Sequence, residues 1–100
     1  MKLEQLTEAL VKTHIALGLD AIDLMLLHTI TDKLKLEGEA TIMPIIEGFN
    51  LTSRATTHAR LKKLIRSGFV SWDSDENNLR VKLLKRGDKY QDLESLLKAI

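Results

Sequence analysis

The feature that most restricts the fold of this chain is a pair of short helices separated by a tight turn. The first is predicted to begin after Thr41 and to end at Gly48, and residues 49–51 supply the turn. Thr52 or Ser53 then caps a second helix, because a side-chain hydroxyl accepts a hydrogen bond from a free N–H of the first helical turn. Two short helices in this arrangement are typical of a helix-turn-helix unit.

A β-hairpin is predicted directly after the second helix, which Gly68 ends. Residues 70–72 alternate between apolar and polar like a strand, residues 75–78 have the composition of a turn, and residues 79–83 alternate again. A helix-turn-helix unit followed at once by a hairpin predicts a winged helix-turn-helix, a mainly α fold with a small β-hairpin.

Three further helices are predicted around this unit. Leucines at near-helical spacing predict a first helix over residues 3–16. Asp20 is expected to cap a second, strongly apolar helix, and Asp23 completes a capping pair with it rather than a pair of catalytic carboxylates. After Gly87, Asp88 is expected to cap a last helix.

The length of the chain predicts a single domain over residues 1–100. We expect the winged helix-turn-helix core over residues 20–87, with terminal helices over residues 1–17 and 88–100. Their apolar residues exceed what so small a core covers, which predicts a homodimer through residues 3–16 and 88–100. The residues behind this prediction are Leu3, Leu6, Leu10, Leu93, Leu97 and Ile100.

Charge is distributed unevenly along the chain. Residues 1–50 contain four basic and eight acidic side chains, whereas residues 51–100 contain eleven basic and six acidic ones. Residues 51–70 alone have five basic residues and no acidic one. This division favours a face that binds a polyanion, although a solvated helix face is the alternative interpretation.

The second helix of the pair has the side chains that a helix in the DNA major groove needs. Ala55 and Ala59 are small enough to let the backbone approach. Arg54 is able to bond either a guanine edge or a phosphate, and Thr56 and His58 are able to donate to either. Basic residues farther along the helix would bind phosphates. The residues predicted to contact DNA are Ser53, Arg54, Thr56, His58, Arg60, Lys62, Lys63, Arg66 and, from the second hairpin strand, Arg80.

Several short stretches resemble MarR-type winged-helix regulators. Ser53-Arg54-Ala55-Thr56, Leu61-Lys62-Lys63-Leu64 and Gly68-Phe69-Val70 are similar to that family's S-R-x-T-V, L-x-x-L and G-L-V patterns. Lys85-Arg86-Gly87 is similar to its T-x-K-G segment, so the resemblance covers roughly residues 20–90. It implies a sequence-specific regulator of transcription, a repressor, that binds double-stranded DNA as a homodimer on a pseudo-palindromic site.

The chain also departs from the family pattern. Thr57 stands where the family usually has a buried Val, and Trp72 stands where it often has Arg. Asp73, Asp75 and Glu76 make the predicted wing tip acidic, which argues against DNA contact by the wing. An acidic wing supports the alternative function, a protein–protein interaction module in a larger assembly. A small-molecule effector is a further option, with no residue that supports it.

Catalytic and metal-binding patterns are absent from the sequence. It has no nucleophile elbow and no phosphate-binding G-x-x-x-x-G-K-[ST] loop. It has no cysteine, and its three histidines, His14, His28 and His58, are far apart in the chain. We therefore expect partly buried structural histidines rather than metal ligands, with a dimer contact as the equal alternative for His14. We expect no cofactor and no enzymatic activity.

The sequence also predicts the location of the protein. The first 17 residues mix charged and apolar side chains, unlike a signal peptide. No apolar stretch approaches the roughly 20 residues that a membrane span requires. We therefore expect a cytoplasmic protein that does not bind membranes.

Overall fold

The computed structural model describes residues 2–74 and 82–98. It has the predicted architecture, which is mainly helical with a small antiparallel hairpin, and the bounds of the first four helices lie close to the predicted ones. The elements are α1 (Leu3–Leu17), α2 (Ala21–Glu37), α3 (Ile42–Gly48), α4 (Arg54–Arg66), β1 (Val70–Ser74), β2 (Lys82–Arg86) and α5 (Tyr90–Lys98).

The start of α2 confirms the predicted capping pair. Asp20 Oδ1 accepts a hydrogen bond from the Asp23 N–H at 2.8 Å, and Asp23 Oδ2 accepts one from the Asp20 N–H at 3.2 Å. Two N–H groups that the helix itself leaves unpaired are thereby satisfied. At the other end of α2, Gly38 adopts a left-handed conformation with φ of 77°, which a residue with a Cβ rarely adopts.

The hydrophobic core lies where α2, α3, α4 and the hairpin meet. It holds α4 against α2 on one side and against β1 on the other, so the direction of α4 is set by packing rather than by its own sequence. The central buried residues are Leu26, Leu27, Ile30, Ile45, Ile46, Phe49, Leu61, Leu64, Phe69, Val70 and Leu84.

The hairpin corrects one boundary. The second strand was predicted over residues 79–83, but the structure places β2 at residues 82–86, and residues 75–81 lie outside the described part of the chain. The pairing runs from Val70 opposite Arg86 to Ser74 opposite Lys82. Gly87, the next residue, stays close to the first strand, since its N–H donates to the Phe69 carbonyl at 2.9 Å and a Cβ there would clash with the Gly68 backbone. The close approach of the two backbones explains why this position is a glycine.

The terminal helices α1 and α5 pack against each other. Leu93 of α5 is only 4% exposed and belongs to the core of this chain, so its predicted place on a dimer surface is wrong. Asp88 does not cap α5 either, because the helix begins at Tyr90 and the Lys89 carbonyl accepts the first helical hydrogen bond, from the Leu93 N–H. None of the helices in residues 2–74 and 82–98 has the length and apolar character to cross a membrane.

Candidate nucleic-acid interface

Helix α4 presents three sides to different surroundings. One side is buried in the core, a second faces the start of α2, and the third faces solvent. Because an α-helix advances about 100° per residue, residues three and four apart share a side. The buried side consists of Thr57, Leu61 and Leu64. The exposed residues that we call the outer face of α4 are Ala55, His58, Ala59, Lys62 and Arg66.

Hydroxyl groups organise the first turn of α4. Ser53 is the N-cap, and its Oγ accepts the Thr56 N–H at 3.2 Å and donates to Thr56 Oγ1 at 3.0 Å. Thr52, the other candidate cap, instead contacts Thr57, with 2.7 Å between the two Oγ1 atoms. Thr57 Oγ1 in turn lies 2.9 Å from the Ser53 carbonyl, to which it donates. The hydroxyl of Thr57 is therefore fully hydrogen-bonded although the residue is completely buried, at the position where MarR-type sequences usually have Val.

Arg54 is the first residue of α4 and lies at its solvent-exposed start. Its Nη2 atom is 3.5 Å from Oε1 of Glu47, near the end of α3. The side chains are 69% and 59% exposed, so water screens their attraction and the pair stabilises the fold little. Arg54 is thus accessible to a ligand at the point where the two short helices meet.

Arg60 and Lys63 lie on the side of α4 that faces α2. Arg60 Nη1 donates to Asp20 Oδ1 at 2.8 Å, to Asp20 Oδ2 at 2.9 Å and to Asp23 Oδ1 at 3.0 Å. Lys63 Nζ donates to Asp23 Oδ2 at 2.5 Å. Asp23 is completely buried, and these two cations provide the compensation that a buried carboxylate requires. We call these four residues the α2–α4 ion cluster.

The cluster changes the ionisation of its members. Burial alone would raise the pKa of Asp20, but the hydrogen bonds from Arg60 and from the Asp23 backbone, with the nearby positive charges, hold that pKa below its ordinary value of 3.8. The hydrogen bond to Asp20 raises the pKa of Arg60 above its ordinary value. Both residues remain charged at neutral pH.

Two of the predicted phosphate contacts thus have a role in the fold that sequence analysis missed. Arg60 and Lys63 direct their charge to carboxylates about 40 positions earlier in the chain. The sequence does not distinguish these two residues from Lys62 and Arg66, because all four are basic residues of one helix. We therefore leave Arg60 and Lys63 out of the candidate interface.

Lys62 and Arg66 differ from those two residues in their surroundings. Within residues 2–74 and 82–98, no carboxylate forms an ion pair with either side chain, and both are exposed. With His58 they border a cavity of about 260 Å³ between α4 and β1. Trp72 also lines this cavity and is 41% exposed, so it belongs neither fully to the core nor fully to the surface.

The remaining predicted residues are placed as follows. His14 and His28 are exposed on the solvent sides of α1 and α2, so the prediction that they are partly buried is wrong, and a dimer contact stays a prediction for His14. His58 is exposed as well, on the outer face of α4. Within the described residues, no group of histidine and acidic side chains has the arrangement of a metal site. Arg80 lies outside the described residues, as do Asp75 and Glu76, whereas Asp73 pairs with Lys85 across the hairpin.

Comparison with protein-family models and with curated protein sequences finds no match, whereas comparison with solved structures does. A mutant of MepR from S. aureus bound to an oligodeoxyribonucleotide matches with a TM-score of 0.75 and 17% identity, over 96% of this chain and 67% of that one.

Two further solved structures are described as transcriptional regulators. Tm0710 from Thermotoga maritima matches with a TM-score of 0.64 and 16% identity, over 96% of this chain and 66% of its own. BldR from Sulfolobus solfataricus matches with a TM-score of 0.63 and 16% identity, over 95% of this chain and 65% of its own. This chain spans about two thirds of the length of the matched structures. The likeness shows that the chain has a winged helix-turn-helix fold.

Proposed function

We propose that this chain is a MarR-type regulator of transcription that binds double-stranded DNA through α4, and that it is not an enzyme. The observation that carries the proposal is the outer face of α4, where two cations without a carboxylate partner in the described residues stand beside two alanines. The fold supports it, because one protein with the same fold is bound to an oligodeoxyribonucleotide.

Different parts of α4 contact different parts of the DNA. The first two turns of α4, with Arg54, Thr56 and the exposed His58, provide donors for base edges and nearby phosphates. The Ser53 hydroxyl donates its one proton to Thr56 Oγ1, so its part in the interface is to cap the helix and orient Thr56. Ala55 and Ala59 have no side chain that would keep the backbone away from the groove. Lys62 and Arg66 bind phosphates and supply most of the affinity.

We also propose that the regulator acts as a homodimer and represses transcription by occupying a pseudo-palindromic site. The support for a dimer is the exposed apolar side of α1, where Leu3 and Ile15 are each 78% exposed and Val11 is 50% exposed. Large apolar side chains left this exposed along one helix are the kind of surface that a partner covers. A second copy packed against α1 would cover it and would place two α4 helices about one DNA turn apart.

One experiment tests binding and stoichiometry together. Duplexes selected by the protein from a randomised pool are titrated at several salt concentrations, and the mass of the complex is measured by sedimentation. We expect affinity to fall steeply with salt, because bound phosphates release counterions, and we expect two chains on each selected site. Failure to bind any duplex at low salt would refute the DNA-binding function, and one chain per site would refute only the dimer.

A further inference from the structure

Arg54 differs from Lys62 and Arg66, because it has a carboxylate close by. Glu47 belongs to α3 and Arg54 begins α4, so the pair spans the turn of the helix-turn-helix unit. Both side chains are highly exposed, so a ligand is able to reach Arg54 while Glu47 stays beside it. The pair therefore lies at the edge of the proposed DNA interface, where the start of α4 would enter the groove.

The position of Arg54 in the helix makes this partner significant. The N-terminal end of a helix carries a partial positive charge, which repels a cation at the first helical position. The first turn of α4 contains no acidic residue of its own. Glu47 provides from α3 the negative charge that the turn lacks, with its Oε1 atom 3.5 Å from Nη2 of Arg54.

A carboxylate at this place affects phosphates and bases differently. A DNA phosphate approaching Arg54 would be repelled by Glu47, and the two side chains together have no net charge for a polyanion to bind. A guanine edge carries no net charge and offers two acceptors, O6 and N7. Arg54 approaches Glu47 through Nη2, so the other N–H groups of its planar guanidinium remain for those two acceptors.

From these observations we propose that Glu47 is a positioning residue that directs Arg54 to a guanine rather than to a phosphate. The sequence alone allows Arg54 to contact either a guanine edge or a phosphate, and the Glu47 carboxylate beside it favours the guanine edge. The inference rests on the proposed DNA-binding function and deepens it, since it names the residue pair that selects one base pair in each half-site.

The test is the variant Glu47→Gln, which keeps the size of the side chain and removes its charge. Wild type and variant are titrated with a selected duplex, with all its single-base variants and with a randomised pool. We expect discrimination at one base-pair position to fall about tenfold, in keeping with the loss of a bidentate base contact. Affinity for the randomised pool should stay equal or rise, because a repulsive charge is gone.

Two further variants complete the design. Arg54→Ala should relax discrimination at the same position, and adding Glu47→Gln to it should change nothing more there. Glu37→Gln is the matched control, since Glu37 is also an exposed partner in an ion pair, with Lys33 at 3.3 Å, but lies at the end of α2. It should leave the preference profile unchanged.

Several outcomes would overturn the inference. If Glu47→Gln binds every duplex more tightly and its base preferences stay unchanged, Glu47 only repels DNA and does not direct Arg54. Additive losses in the double variant would mean that Glu47 contacts a base itself. A wild type that binds duplex without base preference would overturn the inference while DNA binding stands, and a wild type that binds no duplex would overturn both proposals.

Discussion

The side of α4 that faces α2 and the outer face of the same helix contain the same kind of residue with opposite consequences. Arg60 and Lys63 are bound by carboxylates of α2, one of which is completely buried. Lys62 and Arg66 are exposed, and no carboxylate of the described residues pairs with them. The comparison shows that the place of a cation around the helix, rather than its presence in a basic segment, decides whether it serves the fold or a ligand.

The α2–α4 ion cluster has a consequence for the outer face. Asp23 receives hydrogen bonds from Arg60, from Lys63 and from the Asp20 backbone, so it links the start of α2 to the middle of α4. Removing any one of these donors would leave a buried charge less compensated. The cluster therefore resists rotation of α4 about its axis and keeps the outer face directed to solvent.

The largest expected effect is the loss of stability in Arg60→Ala. This variant removes one of two cations from a buried carboxylate, and breaking a buried pair in this way costs about 3 kcal/mol of unfolding free energy. Urea denaturation followed by circular dichroism measures it. Arg66→Ala is the matched control and should change the unfolding free energy by less than about 0.5 kcal/mol. Equal effects of the two substitutions would contradict the distinction between the two sides of α4.

A smaller effect is expected from acid. The pKa of Asp20 is lowered in the folded protein, so its contribution to stability is complete above the ordinary value of 3.8 and is lost as the pH falls through that value to the folded pKa. Asp20→Asn should therefore weaken the fall in unfolding free energy below about pH 5, compared with wild type. Asp32→Asn, at an exposed position of α2, is the control. The cluster has no such role if both variants follow the wild-type pH profile.

The smallest effect compares two adjacent lysines in DNA binding. Lys62→Ala should reduce the slope of log affinity against log salt by about one, because one phosphate contact is lost. Lys63→Ala should leave the slope close to that of wild type and lower the stability instead, because its Nζ bonds Asp23. Fluorescence anisotropy with a randomised duplex and thermal melting measure the two quantities. A wild-type slope in Lys62→Ala would remove Lys62 from the interface, and a reduced slope in Lys63→Ala would return Lys63 to it.

Features that depend on neighbours in the chain were predictable from the sequence. The capping pair of Asp20 and Asp23 and the cap at Ser53 each involve residues three apart, which any helix places together. The apolar periodicity and the hairpin after Gly68 likewise sufficed for the winged helix-turn-helix architecture. These elements depend on local geometry, so their order along the chain already contains the plan of the fold.

Features that depend on distant contacts required the tertiary structure. Leu93 has the same apolar character as Leu3, yet it is buried because α5 packs against α1, whereas Leu3 is exposed. The partners of Arg60 and Lys63 lie in another helix, and Glu47 meets Arg54 only because the turn folds α3 beside α4. The sequence by itself determined the helices, their caps and the abundance of positive charge on α4. Only the packing of α4 against α2 and α3 decided which of those charges are neutralised, because an ion pair depends on a few ångströms of distance that the order of residues does not contain.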